Sequence, residues 1–124
     1  MRALIVDDSS FIRGYTRLLL QSMGMVCEEA VNGREALRVV GSSAAFDLVL
    51  LDWNMPVMNG LECVKELREG MLSSTTKVMM VTTEADYSFI RQALEYGADE
   101  FLMKPYTHEG MREKLSMLGI AIAA

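Results

Sequence analysis

Asp7-Asp8, Asp52, Thr82-Thr83 and Lys104 have the most chemistry to offer in this sequence, and each follows or closes a short apolar run. Brought together, such carboxylates repel by roughly a few kcal/mol per close pair at an effective dielectric near 20. One lysine does not cancel three acids, so either a carboxyl takes up a proton or a cation binds. A hard, oxygen-liganded divalent ion fits, and Mg²⁺ is the usual one where protein ligands are few and waters several. With that ion in place a carboxylate can act as a nucleophile toward phosphorus. The ion and the ammonium would neutralise the phosphoryl oxygens, and a threonine hydroxyl can donate a hydrogen bond to one of them.

Each residue alone has a plainer use. Asp7, Asp8, Ser9 or Ser10 can cap a helix. Asp52 can begin a turn ahead of Asn54 and Pro56. Thr82 and Thr83 suit a strand end, and Lys104 suits a surface. The signal is their shared placement.

Two kinds of segment alternate and set that placement. Ala3–Val6, Met25–Cys27, Leu48–Leu51, Val78–Val81 and Glu100–Met103 are short runs, several apolar on both faces, as in strands of a covered parallel sheet. Between them lie helical stripes. Ile12, Thr16, Leu19, Leu20 and Met23 form the first, with Ser9 or Ser10 to cap it and Gly24 to end it. Ala36, Leu37 and Val40 follow Asn32-Gly33, and Leu61, Val64 and Leu67 follow Asn59-Gly60. Ile90, Ala93 and Leu94 end at Gly97, and Met111, Leu115 and Leu118 follow Thr107. Strand then helix, five times over, predicts an α/β domain: a doubly wound parallel sheet with right-handed crossovers. All strand C-termini then share one edge, where open α/β sheets bind ligands.

The chain has 124 residues, enough for one domain spanning 1–124. Its net charge of −5, with no Lys/Arg-rich run, argues against direct nucleic-acid binding. No apolar stretch approaches the about 20 residues of a membrane span, and Ala3–Val6 is too short for a signal peptide. A cytoplasmic protein without membrane insertion is expected. Cys27 and Cys63 then read as reduced, half-buried packing residues. Most of the eleven methionines read as core fillers. His108 has no second ligand residue near it in sequence and reads as a surface or capping residue.

Asp7-Asp8, Leu51-Asp52-Trp53-Asn54-Met55-Pro56, Asn59-Gly60, Val81-Thr82, Gly97-Ala98 and Lys104-Pro105 resemble, in that order, response-regulator receiver domains of two-component signalling. The resemblance covers nearly the whole chain and is strongest to receivers that stand alone as chemotaxis regulators. It implies the flavodoxin-like (βα)5 fold with strand order 2-1-3-4-5. It implies that Asp52 is the phosphoacceptor, phosphorylated from a phosphohistidine on a sensor histidine kinase. Asp8 and Asp52 would bind Mg²⁺ through carboxylates, Asn54 through its backbone carbonyl, and Asp7 mostly through water. Lys104 would pair with Asp52 and then with the phosphoryl group. Thr82 would move to donate its hydroxyl and Phe101 would swing inward behind it. Asn54 and Glu84 would tune autodephosphorylation, and the Lys104–Pro105 bond is commonly cis in such domains.

The resemblance also implies an output surface on the fourth helix, fifth strand and fifth helix, here with Tyr87, Arg91, Glu95, Tyr96, Phe101, Tyr106 and Lys114. Because the sequence stops soon after the fifth helix, output is expected through a protein that reads this face, the flagellar motor switch or another target. Such a chain is a signalling phosphoacceptor rather than an enzyme with a separate substrate. Three other readings differ in chemistry. An aspartyl-nucleophile phosphohydrolase wants a second acid two residues after the nucleophile, where Asn54 stands. A flavodoxin-like cofactor binder would cradle phosphate in the loop that Asp7 and Asp8 make acidic. A degenerate receiver would bind its partner without phosphorylation and would not need the full constellation.

Overall fold

The computed structural model describes residues 1–42, 45–53, 55, 57–70, 75–83 and 87–122. The alternation resolves as β1 (Arg2–Val6), α1 (Ser10–Ser22), β2 (Val26–Ala30), α2 (Gly33–Ser42) and β3 (Leu48–Asp52). It continues as α3 (Gly60–Gly70), β4 (Lys77–Thr82), α4 (Tyr87–Glu95), β5 (Glu100–Met103) and α5 (His108–Met117). The strands form one sheet in order β2-β1-β3-β4-β5, and every neighbouring pair is parallel.

The pleat sends successive side chains to opposite faces, and the two cores follow that period. Ala3, Ile5, Leu50, Met79 and Val81 pack with Leu20 and Met23 of α1 and Met111 and Leu115 of α5. Leu4, Val6, Leu51, Val78 and Met80 pack on the other face with Ala36, Cys63, Val64, Leu67 and Ala93 of α2, α3 and α4. The central strands are therefore apolar on both sides. β2, at the edge, instead carries Glu28 and Glu29, which pair with Arg2 and with Arg13 and Arg17. Charges on an edge strand discourage pairing with another chain.

Helix starts are set by side-chain caps. Ser9 accepts from the Ile12 N–H, settling which serine caps α1. Asn32 and Asn59 accept from the N–H groups of Glu35 and Glu62 at α2 and α3, and Thr107 accepts from Gly110 at α5. Some expectations are corrected. Cys27 and Cys63 are fully buried rather than half-buried, and burial pushes the Cys63 thiol up to about 12. Leu94, expected on the inner stripe of α4, is exposed, and Ala93 takes the inward position. Six methionines (Met23, Met25, Met55, Met79, Met80, Met111) are core residues, whereas Met1 and Met117 are exposed.

Val57, in the loop between β3 and α3, has φ of 72° with its side chain 70 % exposed. Left-handed backbone is strained for a β-branched residue, and an exposed side chain recovers little by packing. Val57→Asn is expected to raise stability by about 1 kcal/mol, read as a higher urea midpoint at unchanged slope.

Candidate functional site

Strand register brings the distant polar residues together. Val6 lies opposite Leu51, so Asp7 and Asp52 leave β1 and β3 side by side. Asp52 lies opposite Val81, and Thr82 opposite Met103, so Thr82 and Lys104 come next in the same row. The row crosses the β1–β3 junction, where the strand order reverses and the sheet edge opens a crevice. Backbone bonds hold the exits: the Asp7 N–H donates to Ala30, Trp53 to Val81 and Lys104 to Thr82.

An open cleft of about 560 Å³ lies there, lined by Asp7, Asp8, Asp52, Thr82, Thr83 and Lys104 among others. The Lys104 ammonium donates to Asp7 Oδ2 at 3.1 Å and to Asp52 Oδ1 at 3.0 Å. Asp7 Oδ1 accepts from the Ser9 N–H at 2.8 Å, and the Arg13 guanidinium donates to the Asp7 carbonyl at 2.8 Å. Asp8 is exposed to the cleft, whereas Asp7, Asp52 and Thr82 are buried. Carboxylate oxygens of Asp7, Asp8 and Asp52 lie within 4.8 Å of one another.

The electrostatics follow from that crowding. Burial raises the Asp52 carboxyl above its ordinary value; the hydrogen bond from Lys104 opposes this, and the charges of Asp7 and Asp8 add to it. Burial works against the Lys104 charge, but hydrogen bonds and attraction from Asp52 and Asp7 outweigh it and hold the ammonium above its usual range. Three acids and one lysine leave two negative charges among these groups. The donor set fits a small, hard divalent ion: all ligand atoms are oxygens, they converge from three residues, and one wall is open to water. Asp7 already serves both Ser9 and Lys104, and Asp52 serves Lys104, whereas the Asp8 carboxylate faces the open cleft.

The Lys104–Pro105 peptide is cis. Trp53 lines the cleft and packs against Phe89 of α4 with the rings tilted by 52° and their centroids 5.0 Å apart. Phe101 is half-buried beneath the Lys114 ammonium, which lies 4.7 Å from its ring centroid and pairs with Glu100 at 3.2 Å. Beside Phe101 a small, partly open space of about 10 Å³ reaches Thr82, Trp53, Met80 and Ala93. Asn54 and Glu84, the expected tuning residues, lie outside the described residues, as does the side chain of Tyr87. Arg91 and Glu95 are exposed on α4 and Tyr96 just beyond it. Tyr106 is corrected: its ring is buried against α1, because it belongs to the core cluster under α1 and α5. His108 opens α5 in an exposed position.

Sequence reasoning did not find the partners of Tyr106. Its hydroxyl shares a hydrogen bond with Thr16, and its carbonyl accepts from the Tyr15 hydroxyl. The only hint was a polar residue, Thr16, on the apolar stripe of α1.

The family model described as a response regulator receiver domain matches residues 3–116. Chemotaxis protein CheY1 of Helicobacter pylori is 34% identical over 119 residues, covering 95% of this chain and 96% of that protein. A chemotaxis protein CheY homolog of Campylobacter jejuni is 36% identical over 116 residues, covering 93% and 89%. Among solved structures, Vibrio cholerae chemotaxis protein CheY4 superposes with a TM-score of 0.87 at 37% identity, covering 94% of this chain and 97% of that one.

Proposed function

The chain belongs to the response-regulator receiver family, and from that premise we propose that Asp52 accepts a phosphoryl group from a phosphohistidine of a sensor histidine kinase. The observation that carries this is the Lys104 ammonium bridging Asp7 and Asp52 while Asp8 stands exposed beside them. Lys104 engages Oδ1 of Asp52, so attack falls to Oδ2. The Oδ2–P bond forms as the P–N bond breaks, and the electron pair leaves on the imidazole nitrogen. Mg²⁺ would be held by Asp8 and Asp52 through their carboxylates, by the Asn54 carbonyl and by Asp7 mostly through water, and would supply charge neutralisation for the phosphoryl oxygens. Lys104 has three N–H donors; its contacts to Asp7 and Asp52 leave one for a phosphoryl oxygen. Thr82, buried at the neighbouring strand end, donates its hydroxyl to another.

New contacts from the phosphoryl group to Thr82 and Lys104 are what can shift a two-state element. Moving Thr82 toward the phosphoryl group enlarges the space behind it, and Phe101 fills that space from its place on β5. The α4-β5-α5 face changes as a result and is read by a protein target, a flagellar motor switch component being the reading that the chemotaxis relatives favour. Asn54 and Glu84 set the lifetime of the phosphoryl group.

Mg²⁺ with a small acyl-phosphate donor should change the fluorescence of Trp53, the single tryptophan. Metal contact needs Asp52 ionised, and burial holds its carboxyl above the ordinary value. Apparent Mg²⁺ affinity should therefore be level above the raised pKa and fall as pH drops through it, approaching about tenfold per pH unit. A titration showing no saturable metal response at millimolar Mg²⁺ would count against the assignment.

A further inference from the structure

Lys104 can bridge Asp7 and Asp52 only if the chain leaving β5 is held in place. Upstream, the ladder does this, the Lys104 N–H donating to the Thr82 carbonyl at 2.8 Å. Downstream lie Pro105 and Tyr106 before Thr107 caps α5. Their outer side faces an open apolar groove of about 430 Å³ bordered by Phe11, Tyr15 and Pro105. Beyond that rim the groove is open.

Consecutive α1 residues grip it instead. The Tyr15 hydroxyl donates to the Tyr106 carbonyl at 2.7 Å, and the two rings tilt together with centroids 5.8 Å apart. Thr16, 1 % exposed, shares a buried hydrogen bond with the Tyr106 hydroxyl. The helix does not require that bond, since a helical threonine can turn its hydroxyl to the carbonyl four residues back. Between the Tyr106 ring and the back of the acidic pair lies a void of about 10 Å³, bordered by Asp7, Asp52, Thr16 and Val81. That void, about one water in size, lets an untethered ring shift slightly toward the acidic pair, and Lys104 is two residues away.

We propose that Tyr106, tethered by Thr16 and Tyr15, is a positioning residue that holds the Lys104 ammonium between Asp7 and Asp52. The proposal deepens the phosphoacceptor reading and rests on it for its kinetic consequence. Tyr106→Phe removes only the hydroxyl. Losing one such bond and letting Lys104 drift should slow labelling of Asp52 by a small acyl-phosphate donor about 3- to 10-fold. The Mg²⁺ dissociation constant from Trp53 fluorescence should stay within about twofold, because the metal contacts do not include Lys104. Thr16→Val should match it, and Tyr106→Phe/Thr16→Val should be no slower than either, since both remove one interaction. A second readout needs no phosphoryl chemistry. The Lys104 ammonium, bonded to two carboxylates, should give a slowly exchanging ¹H–¹⁵N signal in the parent protein and lose it in Tyr106→Phe. Retention of that signal, labelling within twofold of the parent, equal losses of labelling and metal affinity, or multiplying losses in the double variant would each overturn the proposal. A parent protein that shows the ammonium signal but takes no label at Asp52 would overturn the phosphoacceptor reading while leaving the positioning of Lys104 to be judged by the signal.

Discussion

Asp52→Asn is expected to abolish donor-dependent phosphoryl uptake and at the same time to make the metal-free protein more stable near neutral pH. The amide keeps the shape of the carboxylate and a carbonyl oxygen to accept from Lys104, but loses the nucleophilic oxygen and the charge. The stability gain follows from linkage. Folding raises the Asp52 carboxyl above 3.8, through burial first and the neighbouring Asp7 and Asp8 charges after it, against the pull of Lys104. A carboxyl raised on folding contributes stability that is fully present below the unfolded value and is lost as pH rises through the folded one. At neutral pH the ionised side chain is therefore a net liability, and the neutral amide removes it. Thermal melts without metal should rank Asp52→Asn above the parent at pH 7 and bring the two together below pH 3.8. Saturating Mg²⁺ should narrow or reverse the gap, because only the parent retains the full ligand set. Residual label on the variant, or a variant less stable than the parent at pH 7, would contradict the assignment of Asp52. No pH-dependent gain of this kind is expected from a surface aspartate.

Gly60→Ala is expected to cost about 2–4 kcal/mol of stability and to weaken metal binding in whatever fraction still folds. Gly60 begins α3 against the exit of β3, its N–H donating to the Trp53 carbonyl at 3.0 Å. An added Cβ would lie 2.7 Å from the Asp52 carbonyl oxygen, 2.9 Å from the Trp53 Cα and 2.7 Å from the Met80 methyl. The methyl can turn aside; the two backbone atoms cannot move without carrying the Asp52 carboxylate with them. Gly70, at the far end of the same helix, has no neighbour within 4 Å of such a Cβ. Gly70→Ala should be neutral or gain up to about 1 kcal/mol. Urea melts of the two variants separate a close approach from a general intolerance of α3 to alanine.

The receiver architecture was largely legible because its determinants are local. A strand covered on both faces needs a continuous apolar run, and Leu48–Leu51 and Val78–Val81 read that way before any contact is known. Asn32, Asn59 and Thr107 mark helix starts by a bond spanning three residues. In a parallel sheet, polar groups that end successive strands must share an edge, so Asp7, Asp52, Thr82 and Lys104 could be placed together from position alone. Ile90 and Leu94 show where such reasoning thins: α4 has only nine residues, and a stripe that short leaves its rotation undetermined, so Leu94 turned outward.

Tertiary packing decided the rest. Position could place the acids at one edge, but not that Lys104 would split its donors between Asp7 and Asp52 while leaving Asp8 to the open cleft. Nor did any local pattern turn Tyr106 inward to Thr16, a partner 90 residues away. Periodicity and capping act over a few residues, so the sequence by itself determines the elements and the edge they share. Which side chain faces which across that edge depends on how the helices seat on the sheet, and it is settled only when the two cores close.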